Sequence, residues 1–183
     1  MLILLALFVP AVPGGAGDRP ENPPVRYGLS LSLANTLGPD TRTGFGLASF
    51  LIQVPTAGFW PQPWLDELRL KVELSAGASL WPEQEPMASA AVFLAYPFTG
   101  LGWRWATPYA EIGIGGQWAQ WHVRGQGSSW NFIPQAGLGL EFPEDAGGRL
   151  WFTALRYHHI SNAGFHEHNR GADSLLLTAG VYF

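Results

Sequence analysis

The stretch from Leu68 to Leu80 constrains the fold more than any other part of the chain. Leu68, Leu70, Val72, Leu74, Ala76, Ala78 and Leu80 occupy every second position, and Arg69, Lys71, Glu73, Ser75, Gly77 and Ser79 fill the positions between. A helix would scatter both sets around its circumference. An extended strand sends successive side chains to opposite faces, so this segment reads as a strand with one apolar and one polar face. The same period of two recurs along the chain. Tyr27 to Asn35 sets Tyr27, Leu29, Leu31 and Leu33 against Gly28, Ser30, Ser32 and Ala34, and Pro108 to Trp121 sets Ala110, Ile112, Ile114 and Trp118 against Tyr109, Glu111, Gly113, Gly115 and Gln117. Asn131 to Phe142 sets Phe132, Ala136, Leu138, Leu140 and Phe142 against Gln135, Gly137, Gly139 and Glu141. Gly44 to Gln53 and Met87 to Tyr96 read as strands whose facing alternation leaves open, and Arg149 to Ser161 and Asp173 to Phe183 bring the set to about eight.

Strands of this kind fit a soluble barrel with the apolar row inside, or a transmembrane barrel with that row against lipid and the polar row filling the interior. Composition decides between them. Only 13% of the 183 residues are charged, against roughly 25% in ordinary globular proteins, which leaves little to cover a wet exterior. Trp60, Trp64, Trp81, Trp103, Trp105, Trp121, Trp130 and Trp151 gather near expected strand ends, as interfacial girdles do. Arg69, Lys71, Glu73, Glu111, Glu141, Arg156 and His158 lie on the polar row, where they can pair inside a narrow barrel. The expectation is an all-β fold: one eight-stranded antiparallel transmembrane barrel of the outer-membrane type, residues 25–183. At eight strands the lumen is filled by side chains, so no aqueous channel is expected, and closure leaves no strand edge in lipid. An even strand number puts both chain ends on one side. The last connection, Asn162 to Ala172, then lies on the other, outer side.

Leu2 to Val12 is an apolar run interrupted by Pro10 and followed by small residues, which reads as a signal peptide over 1–16 with a linker over 17–24. The net charge of −4 with no basic cluster excludes nucleic acid as a partner, and the absence of cysteine excludes disulfides and thiolate chemistry. His166 and His168 lack the spacing of an ordered zinc site, so neither metal nor other cofactor is expected. Whether the barrel pairs into a homodimer is not legible.

Chemistry concentrates in Arg156-Tyr157-His158-His159-Ile160-Ser161-Asn162-Ala163-Gly164 and in Asp173. His159 and Ser161 share a strand face, and Asp173 opens the next alternating run, so a hairpin brings all three together. Parity puts them on the row of Trp151, Leu155, Tyr157, Leu175 and Leu177, which is the lipid side, whereas Arg156 and His158 fall on the interior row. A serine hydroxyl needs a base to take its proton, and a histidine can do this near neutrality. The expected assignment is Ser161 as nucleophile, His159 as base and Asp173 as the acid that orients it, with Asn162 and the Gly164 N–H to hold an oxyanion. Glu167 stands as the other acid within reach, and the reaction is acyl transfer to water.

His159-Ile160-Ser161-Asn162-Ala163-Gly164, with Asn169-Arg170-Gly171-Ala172-Asp173-Ser174 and the terminal strand, resembles the carboxy-terminal signature of the PagL-type lipid A 3-O-deacylase family. Pro108 to Gly113 and Pro134 to Gly139 resemble weaker blocks of the same family. The resemblance implies an outer-membrane serine esterase of a Gram-negative cell. Its substrate would be lipid A of lipopolysaccharide in the outer leaflet, losing the ester-linked 3-hydroxyacyl chain at position 3, and His159, Ser161 and Asp173 would be the catalytic set. Asp173 stands where the family's best-known member carries glutamate. Phe183 resembles the terminal signal read by the outer-membrane assembly machinery. The rival reading is a non-enzymatic barrel acting as scaffold, adhesin or stress protein.

Overall fold

The structure is a computed structural model, and it describes residues 24–38, 42–58, 66–120 and 127–183. The expected leader, most of the linker, and Trp60, Trp64 and Trp121 lie outside those residues. Within them the strands are β1 (Arg26–Thr36), β2 (Gly44–Pro55), β3 (Arg69–Trp81), β4 (Pro86–Pro97), β5 (Thr107–Ala119), β6 (Trp130–Phe132), β7 (Gln135–Glu141), β8 (Leu150–Ile160) and β9 (Ala172–Tyr182). Each pairs antiparallel with its neighbours, and β1 pairs with β9 while β4 pairs with β5, which closes the sheet.

The segments β6 and β7 are one barrel strand. Both pair with β5, Gly116 opposite Phe132 and Gly113 opposite Gln135, in an unbroken register. The gap between them is Ile133 and Pro134, and proline has no N–H to give to a ladder. The barrel therefore has eight strands, as expected.

The β3 pattern folds inside out relative to a water-soluble protein. Lys71, Glu73, Ser75 and Ser79 are buried, whereas Leu74 and Leu80 are exposed. On β1, Tyr27, Leu29, Leu31 and Leu33 are about half to two-thirds exposed while Ser30 and Ser32 are buried. Such an exterior is stable only against lipid. Of the tryptophans expected in girdles, Trp81, Trp103, Trp105, Trp130 and Trp151 are all exposed, and Trp103 and Trp105 stack at 5.3 Å in the β4–β5 connection.

The interior is filled in layers. At mid-height Arg156 is wholly buried, donating from Nε to Glu111 Oε1 at 2.6 Å and from Nη1 to Glu73 Oε1 at 3.1 Å, and Lys71 bonds the other oxygen of Glu111. Two cations face two carboxylates, so the set is neutral as a whole. Lys71 and Arg156 also lie 4.4 Å and 4.6 Å from the ring centroid of Phe93. Phe93 reaches this place because Gly113 faces it; a Cβ there would come within 2.3 Å of the ring. Towards the ends the filling becomes apolar, with Phe45, Leu47, Met87 and Leu176 in one cluster and Leu51, Phe152 and Tyr182 in another. These clusters settle the facing of β2 and β4. Phe45, Leu47, Leu51, Met87 and Phe93 point inward, so both strands are apolar on both faces.

Candidate active site

The β8–β9 hairpin builds the site. Its register places His159 directly opposite Asp173 and Tyr157 opposite Leu175. Cross-strand partners on one face lie within side-chain reach, and His159 Nδ1 sits 2.6 Å from Asp173 Oδ1. The pair is on the outward row: the flanking His158, Ile160, Ala172 and Ser174 are buried, while the His159 and Asp173 side chains are 35% and 44% exposed. Ser161 comes two residues after His159 with the same parity, about 6.6 Å along the strand. Its backbone is tied to the neighbouring barrel strand, Ser161 N–H donating to the Phe132 carbonyl at 3.0 Å and Phe132 N–H to the Ser161 carbonyl at 2.7 Å. Serine and histidine thus stand on backbone fixed by ladder bonds, and only the acid comes from across the hairpin.

Immediately after Ser161 the chain makes a tight turn. Ala163 and Gly164 take φ of 53° and 82°, and the Phe165 N–H donates to the Asn162 carbonyl at 3.0 Å. Two successive positive φ values under that bond make a type I′ pattern, which glycine tolerates freely and alanine at about 1–2 kcal/mol. Asn162 organises the turn. Its Oδ1 accepts the Gly164 N–H at 3.0 Å, its Nδ2 donates to the His168 carbonyl at 2.9 Å, and its own N–H donates to Asn169 Oδ1 at 2.9 Å.

Asn162 and Gly164, the residues expected to hold an oxyanion, are bonded to one another in this structure. The parity that turns Ser161 outward turns Asn162 inward, where it is 2% exposed, and the Gly164 N–H is engaged by Asn162 rather than presented beside Ser161. Glu167 lies in the exposed part of the loop, and the carboxylate on His159 is that of Asp173. His158 is buried beside Phe45, with ring centroids 5.7 Å apart.

Four neighbours were not singled out as site residues by sequence reasoning. The Tyr157 hydroxyl donates to the same Asp173 oxygen as His159, at 2.5 Å, and the signal for it was its parity, two residues before His159. Phe132 pairs across from Ser161, and its ring lies 6.0 Å from that of the exposed Phe165, which makes an apolar ledge next to the serine. Gly171, at φ 71°, packs against the imidazole so closely that a Cβ would lie 3.0 Å from His159 Cε1. With Nδ1 given to Asp173, the nitrogen left to take a proton is Nε2.

A closed barrel with an apolar exterior, carrying an imidazole–carboxylate pair and a serine on its outward row, has the layout of an integral outer-membrane enzyme. The chain belongs to the lipid A 3-O-deacylase (PagL) family, whose profile matches residues 29–182. It resembles the crystal structure of the outer membrane enzyme PagL with a TM-score of 0.60 and 26% identity, over 84% of this chain and 97% of that one. It also superposes on Neisserial surface protein A with a TM-score of 0.63 at 13% identity, over 86% of this chain and 95% of that one, a likeness of fold alone. No curated protein matches by sequence. The family and the barrel place the protein in the outer membrane.

Proposed function

We propose that the protein is a serine esterase that removes the 3-hydroxyacyl chain at position 3 of lipid A, working from the lipid-facing surface of the barrel at the outer leaflet. The observation that carries this reading is the His159–Asp173 pair at 2.6 Å on the outward row, one same-face step from Ser161, in a chain of the deacylase family. An acyl chain lying along the barrel can run over the apolar exterior while its ester reaches the end of β8. The Phe132–Phe165 ledge flanks that point.

Each residue has a distinct part in the reaction. Ser161 Oγ attacks the ester carbonyl carbon as its proton passes to His159 Nε2, and Asp173 stabilises the imidazolium and holds the useful tautomer. The tetrahedral intermediate collapses, the C–O bond to the sugar breaks, and His159 returns the proton to the departing sugar hydroxyl. Water, deprotonated by His159, attacks the acyl-serine, and the 3-hydroxy fatty acid leaves with Ser161 restored. The Gly164 N–H can hold the oxyanion only if Asn162 Oδ1 releases it, so that role asks for a turn that loosens when substrate seats.

The test is position-specific. Refolded protein in detergent is given lipid A that carries an acyl chain at position 3 and lipid A that lacks it, and free fatty acid is measured by mass spectrometry. Release of 3-hydroxy fatty acid from the first and none from the second is expected. Equal release from both would sink the positional assignment, and release from neither would sink the activity.

A further inference from the structure

We infer that Tyr157 is a positioning residue, whose hydroxyl tethers the short Asp173 side chain so that its carboxylate stays on His159 Nδ1. This rests on the hydrolase reading of the same corner.

Three observations support it. Asp173 Oδ1 accepts from both partners, from Tyr157 at 2.5 Å and from His159 Nδ1 at 2.6 Å, so one oxygen is shared by the tether and the base. A carboxylate oxygen has two lone-pair sites, and two donors fill them. Second, the sheet register makes this a diagonal contact. Tyr157 stands opposite Leu175, the next same-face residue after Asp173, and diagonal partners lie roughly 7–8 Å apart, a span that needs a long aromatic side chain. Tyrosine is the apolar-faced residue that can cross it and end in a hydroxyl. Third, the Asp173 side chain is 44% exposed. A carboxylate so open, with one methylene between backbone and charge, has other partners available from headgroups and water. The second donor keeps it where His159 needs it, and does so from the apolar row with an uncharged side chain.

The consequence is specific to the acid. Removing the hydroxyl leaves the ring in place on the barrel exterior, so Tyr157→Phe is expected to fold and to bind substrate as before. It should lower kcat about 10-fold, the scale of one hydrogen bond to a charged group, with KM within about 2-fold. In an Asp173→Asn background the same substitution should cost nothing further, because the tether has no carboxylate to hold. Tyr157→Phe combined with Asp173→Glu should recover part of the loss, since the longer acid reaches His159 with less need of the tether.

The experiment measures kcat and KM on lipid A for wild type, Tyr157→Phe, Asp173→Asn and both double variants. Alongside it, NMR of the His159 Nδ1 proton is recorded for wild type and Tyr157→Phe in folded barrels. A kcat loss that vanishes in the Asp173→Asn background, with a shifted Nδ1–H resonance, is the expected result. An unchanged kcat, or a loss that adds fully to that of Asp173→Asn, would overturn the inference, as would an Nδ1–H resonance that ignores the substitution. If wild type releases nothing from lipid A, the hydrolase reading is what fails, and the resonance still decides whether Tyr157 holds the acid.

Discussion

Two carboxylates in this barrel are each held by two donors. Glu111 takes Arg156 and Lys71, with no exposure of its side chain. Asp173 takes His159 and Tyr157 and stays 44% exposed. Inside, the donors are an ammonium and a guanidinium packed around Phe93, sealed among the walls of the barrel. Outside, one donor is an imidazole that can gain and lose a proton, and a serine stands on the same face within one step. The same ionic motif is sealed among fixed partners in the lumen, whereas on the outer face it is open and paired to an imidazole, where the proposed mechanism uses it to move a proton.

That contrast can be broken most severely at Ser161. Ser161→Ala should abolish fatty acid release, by at least about 10⁴-fold, while the barrel keeps its folded mobility on gels and its unfolding midpoint. Next is Asp173→Asn, expected to lower kcat by about 10³- to 10⁴-fold through loss of the imidazole's orientation and of support for its cation. Release assays at saturating lipid A would show whether the loss sits in kcat. The interior should behave in the opposite sense. Arg156→Met leaves Lys71 alone to face Glu73 and Glu111 in the lumen and should destabilise the barrel by about 3–5 kcal/mol, read by urea unfolding, with turnover per folded molecule unchanged within about 2-fold. A variant with turnover lost and stability kept would move the interior set into the mechanism and erase the distinction.

The smallest effect sharpens the comparison at the imidazole itself. Gly171 has a positive φ and lies against His159 Cε1, so Gly171→Ala should strain the backbone by about 1–2 kcal/mol and nudge the ring. A roughly 10-fold loss of kcat is expected, with a small fall in unfolding midpoint.

Much of this was legible in the residues. The β3 and β1 alternations, with charge on one row and leucine on the other, were enough for the barrel and its inverted facing. Parity also puts His159 opposite Asp173 in the hairpin, as the register has it. β2 and β4 were not readable in the same way, because their inward rows carry Phe45, Leu47, Leu51, Met87 and Phe93. Apolar residues on both faces leave no alternation, and only the neighbouring strands decide which row fills the lumen. Asn162 shows what parity adds to residue chemistry. Its chemistry suits an oxyanion, yet its parity, the same rule that was applied to Ser161, already placed it on the buried side, where it stitches the turn. Tyr157 stood in plain view on the outward row, and its link to Asp173 depends on a diagonal across the hairpin that the register supplies.

The central claim is that Ser161 on the outer face cleaves an acyl ester of lipid A. Its most direct test is the mass of lipid A after incubation with wild type and with Ser161→Ala, both refolded and matched for folded barrel. Loss of one 3-hydroxyacyl mass with wild type alone is the result this account predicts. Equal loss with both proteins, or no loss from either, would contradict it.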